Sequence, residues 1–522
     1  MFRVLWLLGC LSGASAGDFY TAGVAEFRPL LMGGSSEQLL ADNLSGYLEL
    51  IASASGQADI LVFPEATLNS VLQLTAVPES TEQSLCEAQP GDDEYIASFL
   101  RQLACAAQEA HLYLVINVKE RAEESKEEHS PRGYLVYNTN VVFDRRGAVV
   151  SRYRKWNLYL EPSTNRTELP QLATFSTDFG VTFGHFVCFD MLFYEPAQEL
   201  VEQLGIRHVI VTKMFNSELP FLTASQFQQG WAWANRVNLL AAGASLPLAG
   251  MSGSGIYATR QGALARLMVT DQVEGERKLL LASVPLNPDE EESAKPLDEE
   301  PQSPEKGKTM SLKLLQQPDL QEFTTWELPM VASSSVVKRL CQADLCCEFE
   351  AQWTPVGPAP GTYRLGVWVG ERRYEEEQYS TIRLCGLFAC GNSSVDSCGL
   401  VADTDVGGWD DDQVEFVYLS IRGEFVHKPR RLIMPSTVTR SHLYALQPSQ
   451  FSWSQEESAN VTHIEMELRQ AHRQLLTFAI YGNYYDEHAG GGAGGEMGAP
   501  KDHYLILVLM GMVTMMHLIR ER

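Results

Sequence analysis

The chain is short of positive charge: its 522 residues include 40 lysines and arginines against 66 aspartates and glutamates, a formal net charge of -26. A protein that neutralises phosphates needs a basic surface, so this balance argues against a nucleic acid partner. The sequence also lacks any cluster of histidine, cysteine or acidic residues with the spacing of a metal site. It therefore predicts no bound metal and no cofactor.

The N-terminus lacks an apolar run long enough to span a bilayer. Arg3 is followed by an apolar stretch at residues 4–11, and small residues at 14–16 precede Gly17. This order is typical of a cleaved secretory signal peptide, which we assign to residues 1–16. Asn-X-Ser/Thr triplets fit a secretory route and predict N-glycosylation at Asn43, Asn165, Asn392 and Asn460.

The C-terminal residues 487–522 end in a short apolar stretch. Residues 488–498 are rich in glycine and alanine, residues 499–503 form a polar spacer, and residues 504–518 are apolar. This order is the signal for exchanging the tail for a glycosylphosphatidylinositol (GPI) anchor, here near Gly492. We therefore expect an extracellular protein on the outer membrane leaflet; a single-pass helix and a released, secreted form are the alternatives.

The mature chain has an odd number of cysteines. Of ten, Cys10 is lost with the signal peptide, so nine remain, and at least one must be free or intermolecular. Six lie between residues 341 and 398 and can pair among themselves, while two others form a local pair, so Cys188 is left over. The predicted disulfide residues are Cys86, Cys105, Cys341, Cys346, Cys347, Cys385, Cys390 and Cys398.

Composition divides the mature chain in two. Residues 287–308 are rich in proline and charge and have no periodic apolar pattern, which predicts a linker. Residues 17–286 alternate strand-like and helix-like segments, including a predicted helix at residues 225–240, and so predict an α/β domain. Residues 309–486 contain short strand-like segments and the cysteine cluster, which predicts a smaller, β-rich accessory domain with disulfides.

Cys188 lies at the end of an apolar, strand-like segment, residues 184–189, and precedes residues that favour a helix start. A sharp turn from strand to helix exposes a nucleophile and turns backbone N–H groups towards a developing oxyanion. The alternative is a buried, unreactive thiol, the commonest state of a free cysteine. A cysteine nucleophile needs a base, but His185 lies at an odd spacing on the same strand and should face away from Cys188.

Two charged residues lie where predicted strands end. Glu65 closes the apolar segment 59–65, and Lys155 follows a predicted strand pair and lies among aromatic residues. Ligand-facing groups collect at the carboxyl ends of strands in α/β sheets, so both residues are candidates for the base and the cation that Cys188 needs. The alternative for each residue, taken alone, is a position on the exposed surface.

At these positions the sequence resembles the nitrilase superfamily, and within it the branch of the vanins and biotinidases. The resemblance lies in three segments that occur in order: residues 63–65 (FPE), 154–159 (RKWNLY) and 187–197 (VCFDMLFYEPA). It continues in residues 231–240 (WAWANRVNLL), 251–257 (MSGSGIY) and, in the second domain, 341–347 (CQADLCC). It therefore covers nearly the whole mature chain, and the segment around Cys188 is its most specific part.

The resemblance implies an αββα sandwich with a triad of Glu65, Lys155 and Cys188 at the sheet ends. Glu65 would be the proton acceptor and Cys188 the nucleophile. Lys155 would be a proton donor that favours the thiolate and, with the backbone N–H of Phe189, stabilises the oxyanion. Glu161 is expected either to hold Lys155 in place or to lie on a surface loop.

The activity that the resemblance implies is hydrolysis of a small linear amide through a cysteine acyl-enzyme. The leading substrate is pantetheine, cleaved to pantothenate and cysteamine. The anchor-like tail favours this substrate over a biotin amide such as biocytin, although residues 154–159 resemble the biotinidases at least as closely. A catalytically silent cell-surface binding protein of the same fold is the third alternative.

Overall fold

The structure is a computed structural model that describes residues 18–87, 95–124, 132–289, 310–330, 332–356, 362–375, 378–400, 414–440, 442–473 and 475–485. The predicted signal peptide, residues 290–308 of the predicted linker, and the predicted anchor region with Gly492 lie outside these ranges. In the described ranges, no helix has the length and hydrophobicity needed to cross a membrane.

Strands and helices alternate in the first part of the chain. In order, they are β1 (Phe19–Phe27), α1 (Ser36–Ala54), β2 (Ile60–Val62), α2 (Ser98–Ala110), β3 (Tyr113–Glu123), β4 (Tyr134–Phe143), β5 (Val149–Arg154), β6 (Thr174–Ser176), β7 (Thr182–Val187), α3 (Glu199–Glu202), β8 (His208–Lys213), β9 (Glu218–Leu219), α4 (Ala224–Asn235), β10 (Asn238–Ala244), β11 (Ser254–Ala258), β12 (Gly262–Leu267) and β13 (Arg277–Pro285). Helix α1 begins at a capping box, in which Ser35 and Gln38 each bond the other's backbone N–H.

These strands form two sheets that meet where β1 lies beside β10. The strand order is β5-β4-β3-β2-β1-β10-β8-β7-β6, with β13 along β1 and with β11 and β12 beyond β10. Strands β2, β1, β10, β8 and β7 are parallel to one another. Their carboxyl ends therefore lie at one edge, which is where α/β sheets place their ligand sites.

The strands send alternate side chains to opposite faces. Val24 and Ile60 of one sheet meet Ile210 and Leu240 of the other in a fully buried core between the sheets. The opposite face of the first sheet packs against α1 and α2, and that of the second packs against α4 and the second domain. The αββα sandwich implied by the resemblance is therefore confirmed.

The second part of the chain is β-rich, as predicted. Its strands are β14 (Leu315–Gln316), β15 (Thr324–Glu327), β16 (Ser334–Gln342), β17 (Leu345–Pro355), β18 (Thr362–Glu375), β19 (Gln378–Cys390), β20 (Val414–Val426), β21 (Arg431–Thr439), β22 (Phe451–Glu457), β23 (Val461–Leu468) and β24 (Leu475–Tyr484). They form two five-stranded sheets, β15-β18-β19-β24-β21 and β16-β17-β20-β23-β22, around a shared apolar core. Strand β14 instead pairs with β9 of the first part.

Four disulfides join the described cysteines other than Cys188. They are Cys86–Cys105, Cys341–Cys346, Cys347–Cys385 and Cys390–Cys398. The third connects β17 to β19 and so links the two sheets of the second part. Cys86–Cys105 lies in the first part of the chain and the other three disulfides lie in the second, so no disulfide joins the two parts among the described residues.

Helix α4 is the main contact between the two parts. Gly230 lies against β21: a Cβ at this position would come within 2.6 Å of the carbonyl oxygen of Pro435, so only glycine allows this close approach. Nearby, Nε2 of Gln226 donates to Oγ of Ser436 at 2.8 Å. The second part therefore covers the outer face of α4 directly.

The predicted helix at residues 225–240 is wrong at its C-terminal end, residues 236–240. Helix α4 ends at Asn235, because Arg236 adopts a left-handed conformation with φ 53° and ψ 45°. The chain then enters β10, where Leu239 and Leu240 are fully buried. A short, wholly buried strand has no alternation of polar and apolar residues, so its pattern runs on from the helix before it.

The predicted glycosylation sites differ in exposure. Asn392 and Asn460 are exposed, and Asn165 is half-buried. Asn43 is only 3% exposed, and its Nδ2 donates to the carbonyl oxygens of Leu30 and Leu68. A glycan on Nδ2 would displace both contacts, so the burial of Asn43 argues against glycosylation at this position.

Candidate active site

Glu65 lies just beyond the carboxyl end of β2 and is 4% exposed. Its Oε1 accepts hydrogen bonds from Nζ of Lys155 and Nδ2 of Asn138, both at 2.7 Å. Its Oε2 accepts from the backbone N–H of Met214 at 2.8 Å. Three donors from three parts of the chain therefore fix the orientation of this carboxylate.

Lys155 directly follows β5, and its ammonium lies between two carboxylates. Its Nζ is 2.7 Å from Oε1 of Glu65 and 2.7 Å from Oε1 of Glu161. Burial by itself would lower the pKa of Lys155, but Glu161, Glu65 and Cys188 together raise it well above its ordinary value. Lys155 is therefore a cation throughout the physiological pH range.

Glu161 lies in the site rather than on an exposed loop. Besides Lys155, it accepts hydrogen bonds on Oε2 from Nζ of Lys119 at 2.8 Å and from Nδ2 of Asn138 at 2.9 Å. Burial opposes ionisation, but the two lysines hold the pKa of Glu161 well below its usual range. Of the two alternatives for Glu161, the geometry matches the one in which it orients Lys155.

Cys188 opens a 3-10 turn, Cys188–Leu192, at the carboxyl end of β7. Its φ of 48° lies in the left-handed region, which costs a residue other than glycine about 1–2 kcal/mol. Asp190 fixes this turn, because its Oδ2 accepts from the backbone N–H of Val187 at 3.1 Å. Phe189 comes next, at the start of the turn, where backbone N–H groups have no partner within the turn.

The thiol of Cys188 lies within electrostatic range of both Glu65 and Lys155. Burial raises the pKa of the Cys188 thiol well above its ordinary value, the charge of Glu65 raises it further, and Lys155 opposes the rise. The net effect is a raised pKa, which favours the protonated thiol over the thiolate that Lys155 was expected to favour.

A row of asparagines connects Glu65 to the nucleophile strand, and none of them is among the predicted site residues. Nδ2 of Asn117 donates to Oδ1 of Asn138 at 2.7 Å and to Oδ1 of Asn140 at 3.1 Å. Nδ2 of Asn140 in turn donates to the carbonyl oxygen of Phe186 at 3.2 Å. The sequence does contain a sign of this row, because the polar triplet at 138–140 interrupts an apolar strand. Buried amides must be hydrogen-bonded, so such a triplet indicates a buried polar network.

Aromatic side chains surround the nucleophile. The ring of Phe189 lies 4.7 Å from that of Tyr159, 5.0 Å from that of Phe193 and 5.0 Å from that of Tyr374, measured between centroids. Tyr374 comes from β18 of the second part of the chain. Both parts therefore contribute to the apolar surroundings of Cys188.

His185 is not a partner of Cys188. Its Nε2 lies 2.8 Å from Oγ of Ser151, and its ring packs edge-on against Phe175 at 5.8 Å. Burial lowers its pKa to about 3, so the ring is neutral. In the described part of the chain, no three histidine, cysteine or acidic side chains converge as metal ligands.

The fold and the site define the class of protein. Residues 33–242 match the family model described as carbon–nitrogen hydrolase, and residues 312–488 match the vanin C-terminal domain. A paired carboxylate and ammonium within electrostatic range of a thiol are suited to nucleophilic attack on an amide carbonyl. The class is an amidohydrolase that acts on carbon–nitrogen bonds other than peptide bonds.

Similar proteins place the chain within this class. It is 66% identical over 528 residues to Vanin-like protein 3 of Drosophila melanogaster, covering 99% of both chains. It is 28% identical over 529 residues to the pantetheinase of Homo sapiens, covering 97% of both. It is also 29% identical over 394 residues to the biotinidase of Takifugu rubripes, covering 70% of this chain and 76% of that one. The chain belongs to the vanin branch of the carbon–nitrogen hydrolase family.

Proposed function

We propose that this protein hydrolyses pantetheine to pantothenate and cysteamine through an acyl thioester on Cys188. The observation that carries the proposal is the position of the Glu65 carboxylate, which bonds Lys155 at 2.7 Å and lies within electrostatic range of the thiol of Cys188. The choice of substrate is supported by the similarity to pantetheinases over nearly the full length of the chain.

The first step is the transfer of the thiol proton to Glu65 as sulfur attacks the amide carbonyl. Because the thiol is protonated at rest, the negative charge moves from Glu65 to the new oxyanion, and the net charge of the site stays the same. Lys155 and the backbone N–H of Phe189 stabilise that oxyanion. Glu65 then protonates the leaving amine, and the C–N bond breaks.

The second step releases the acyl group. Glu65, again a carboxylate, takes a proton from water, and the hydroxide attacks the thioester carbonyl. Collapse of the second tetrahedral intermediate breaks the C–S bond, and the proton returns to the sulfur. In this proposal Glu161 keeps Lys155 directed at the reacting carbonyl, because its own pairing with Lys119 holds it in place.

A biotin amide is the second candidate substrate. The similarity to a biotinidase and the segment at 154–159 favour it. The two substrates differ in their acyl groups, but hydrolysis of each one releases a primary amine: cysteamine from pantetheine and lysine from biocytin. A single assay for the released amine therefore compares them directly.

The decisive experiment measures amine release from pantetheine and from biocytin by purified protein. We expect turnover of pantetheine, loss of turnover in Cys188→Ser and Glu65→Gln, and full activity in Glu37→Gln, a matched change at an exposed glutamate. Turnover of biocytin alone would replace the substrate. Absence of turnover with either amide, together with an unreactive Cys188, would support a silent binding protein.

We further propose an extracellular location with a GPI anchor attached near Gly492 and glycans on Asn165, Asn392 and Asn460. The four disulfides support this compartment, because such bonds persist in oxidising environments. Treatment of intact cells with phosphatidylinositol-specific phospholipase C should release the protein. Retention of the protein after this treatment would favour a membrane-spanning tail, and its appearance in untreated medium would favour secretion.

A further inference from the structure

A second lysine lies next to the catalytic groups, and the proposed mechanism does not use it. Lys213 is the last residue of β8, is 2% exposed and immediately precedes Met214, whose N–H bonds Glu65. Its ammonium interacts electrostatically with both Cys188 and Glu65. Lys213 therefore lies at the same edge of the sheets as the proposed nucleophile and base.

The packing around Lys213 directs its ammonium across a glycine. Glu26, Gly243 and Lys213 are paired in register on β1, β10 and β8. A Cβ at position 243 would lie 2.9 Å from Nζ of Lys213 and 3.3 Å from Oε2 of Glu26. The absence of a side chain at position 243 leaves room for the ammonium at this point, and a larger residue there would displace it.

Lys213 offsets part of the buried charge of Glu26, which lies within electrostatic range, but the hydrogen bonds of Glu26 come from other groups. Glu26 already accepts hydrogen bonds from Oγ of Ser252 at 2.5 Å and from Oγ of Ser254 at 2.6 Å. Within the described residues, Nζ of Lys213 makes no hydrogen bond or ion pair with the protein. A buried ammonium with unused donors beside a nucleophile is suited to binding a ligand oxygen.

The charges of the site indicate the kind of oxygen. Glu26 and Glu65 lie within electrostatic range of Lys213, so a further carboxylate on the substrate would add an uncompensated buried charge. A hydroxyl or carbonyl oxygen accepts the same hydrogen bond without that cost. The neutral ligand is therefore favoured over the anionic one.

We propose that Lys213 is a specificity-determining residue that donates a hydrogen bond to a neutral hydroxyl or carbonyl oxygen on the acyl half of the substrate. The inference rests on the proposed amidase chemistry at Cys188 and adds the class of acyl group that the site selects. Acyl groups with such oxygens would be preferred over plain alkyl chains.

The test compares kcat/KM for pantetheine with that for an N-acyl cysteamine whose acyl chain is an unsubstituted alkyl group. Lys213→Met should lower kcat/KM for pantetheine by roughly 10- to 100-fold and leave the alkyl amide nearly unchanged. Lys213→Gln, which keeps a donor, should recover part of the loss. Lys338→Met, which removes a lysine from β16 of the second part, is the matched control.

Two further readouts separate binding from folding and from chemistry. Loss of the Lys213 charge near the thiol should slow alkylation of Cys188 by iodoacetamide no more than it lowers kcat/KM for the alkyl amide; an equal loss of kcat/KM with both amides would overturn the proposal. Pantetheine affinity is also compared between Cys188→Ser and Cys188→Ser/Lys213→Met. Weaker binding in the double variant supports a role for Lys213 even if the wild type does not turn pantetheine over, and equal binding, or none in either, overturns it.

Discussion

Asp190 joins the turn of the nucleophile to the segment that carries Lys155, and we expect its replacement to lower both stability and activity. Its buried carboxylate accepts four hydrogen bonds at 2.7–3.1 Å, from Oη of Tyr153, from N and Nδ2 of Asn157, and from N of Val187. Each buried donor left without a partner costs about 1–3 kcal/mol. Asp190→Ala should therefore lower the free energy of unfolding by about 4 kcal/mol or more.

Asp190→Asn is the more informative change. Its amide keeps one oxygen but presents N–H groups where the carboxylate accepted bonds, so we expect a loss of about 1–3 kcal/mol. The backbone N–H of Val187 then loses its anchor, and Cys188 can leave its left-handed conformation. Because displacement of reacting groups by 1 Å can cost about 100-fold in rate, kcat/KM should fall by at least about tenfold.

Guanidinium unfolding, iodoacetamide labelling of Cys188 and amine release from the best substrate measure these effects. Asp18→Asn, at an exposed aspartate, is the control for the loss of one negative charge. A wild-type unfolding midpoint and wild-type kcat/KM in Asp190→Asn would refute the reasoning. Loss of stability without any change in the chemistry of Cys188 would mean that Asp190 supports only the fold.

Three further predictions concern the acid, a histidine and a disulfide. Glu161→Gln leaves Lys119 without its carboxylate, so chemical denaturation should show a loss of about 3–5 kcal/mol together with reduced turnover. Burial lowers the pKa of His185 to about 3, so between pH 6.5 and pH 3 this histidine binds a proton only in the unfolded chain. The free energy of unfolding should therefore fall by about 1.4 kcal/mol per pH unit as the pH drops through this window. Unfolding measured as a function of pH should show a smaller slope in His185→Gln. Opening the Cys86–Cys105 disulfide by a double change to serine should cost about 3 kcal/mol in thermal unfolding, and an unchanged melting temperature would contradict this.

The sequence predicted the fold class well because the burial pattern repeats along the chain. An amphipathic helix such as α1 and an apolar strand such as β7 can each be recognised from its own residues, and their alternation along the chain indicates an α/β fold. The error at residues 225–240 has a physical cause, since a buried strand and a buried helix look alike over a few apolar residues. The docking of β21 against Gly230 had no local signal, because it joins residues far apart in the chain.

The site was predictable in its residue types but not in its electrostatics. Glu65 and Lys155 follow strand ends, and the odd cysteine count singled out Cys188. The raised pKa of the thiol could not be read from the sequence, because it depends on the burial of Cys188 and on its distances from Glu65 and Lys155 in three dimensions. Lys213 was missed for the same reason: a lysine that ends an apolar strand gives no indication that a glycine on the next strand leaves room for its ammonium.

The covering of α4 by the second domain has a consequence for how such a protein can change over time. Phe221 and Phe227 pack against side chains from both parts, and Oγ1 of Thr477 donates to the carbonyl oxygen of Pro220 at 2.7 Å. A catalytic half produced alone would expose these rings to water and would aggregate rather than work. We therefore expect the two parts to be retained together, because an unrelated module in place of the second part would have to supply the side chains that now cover α4 and its neighbours.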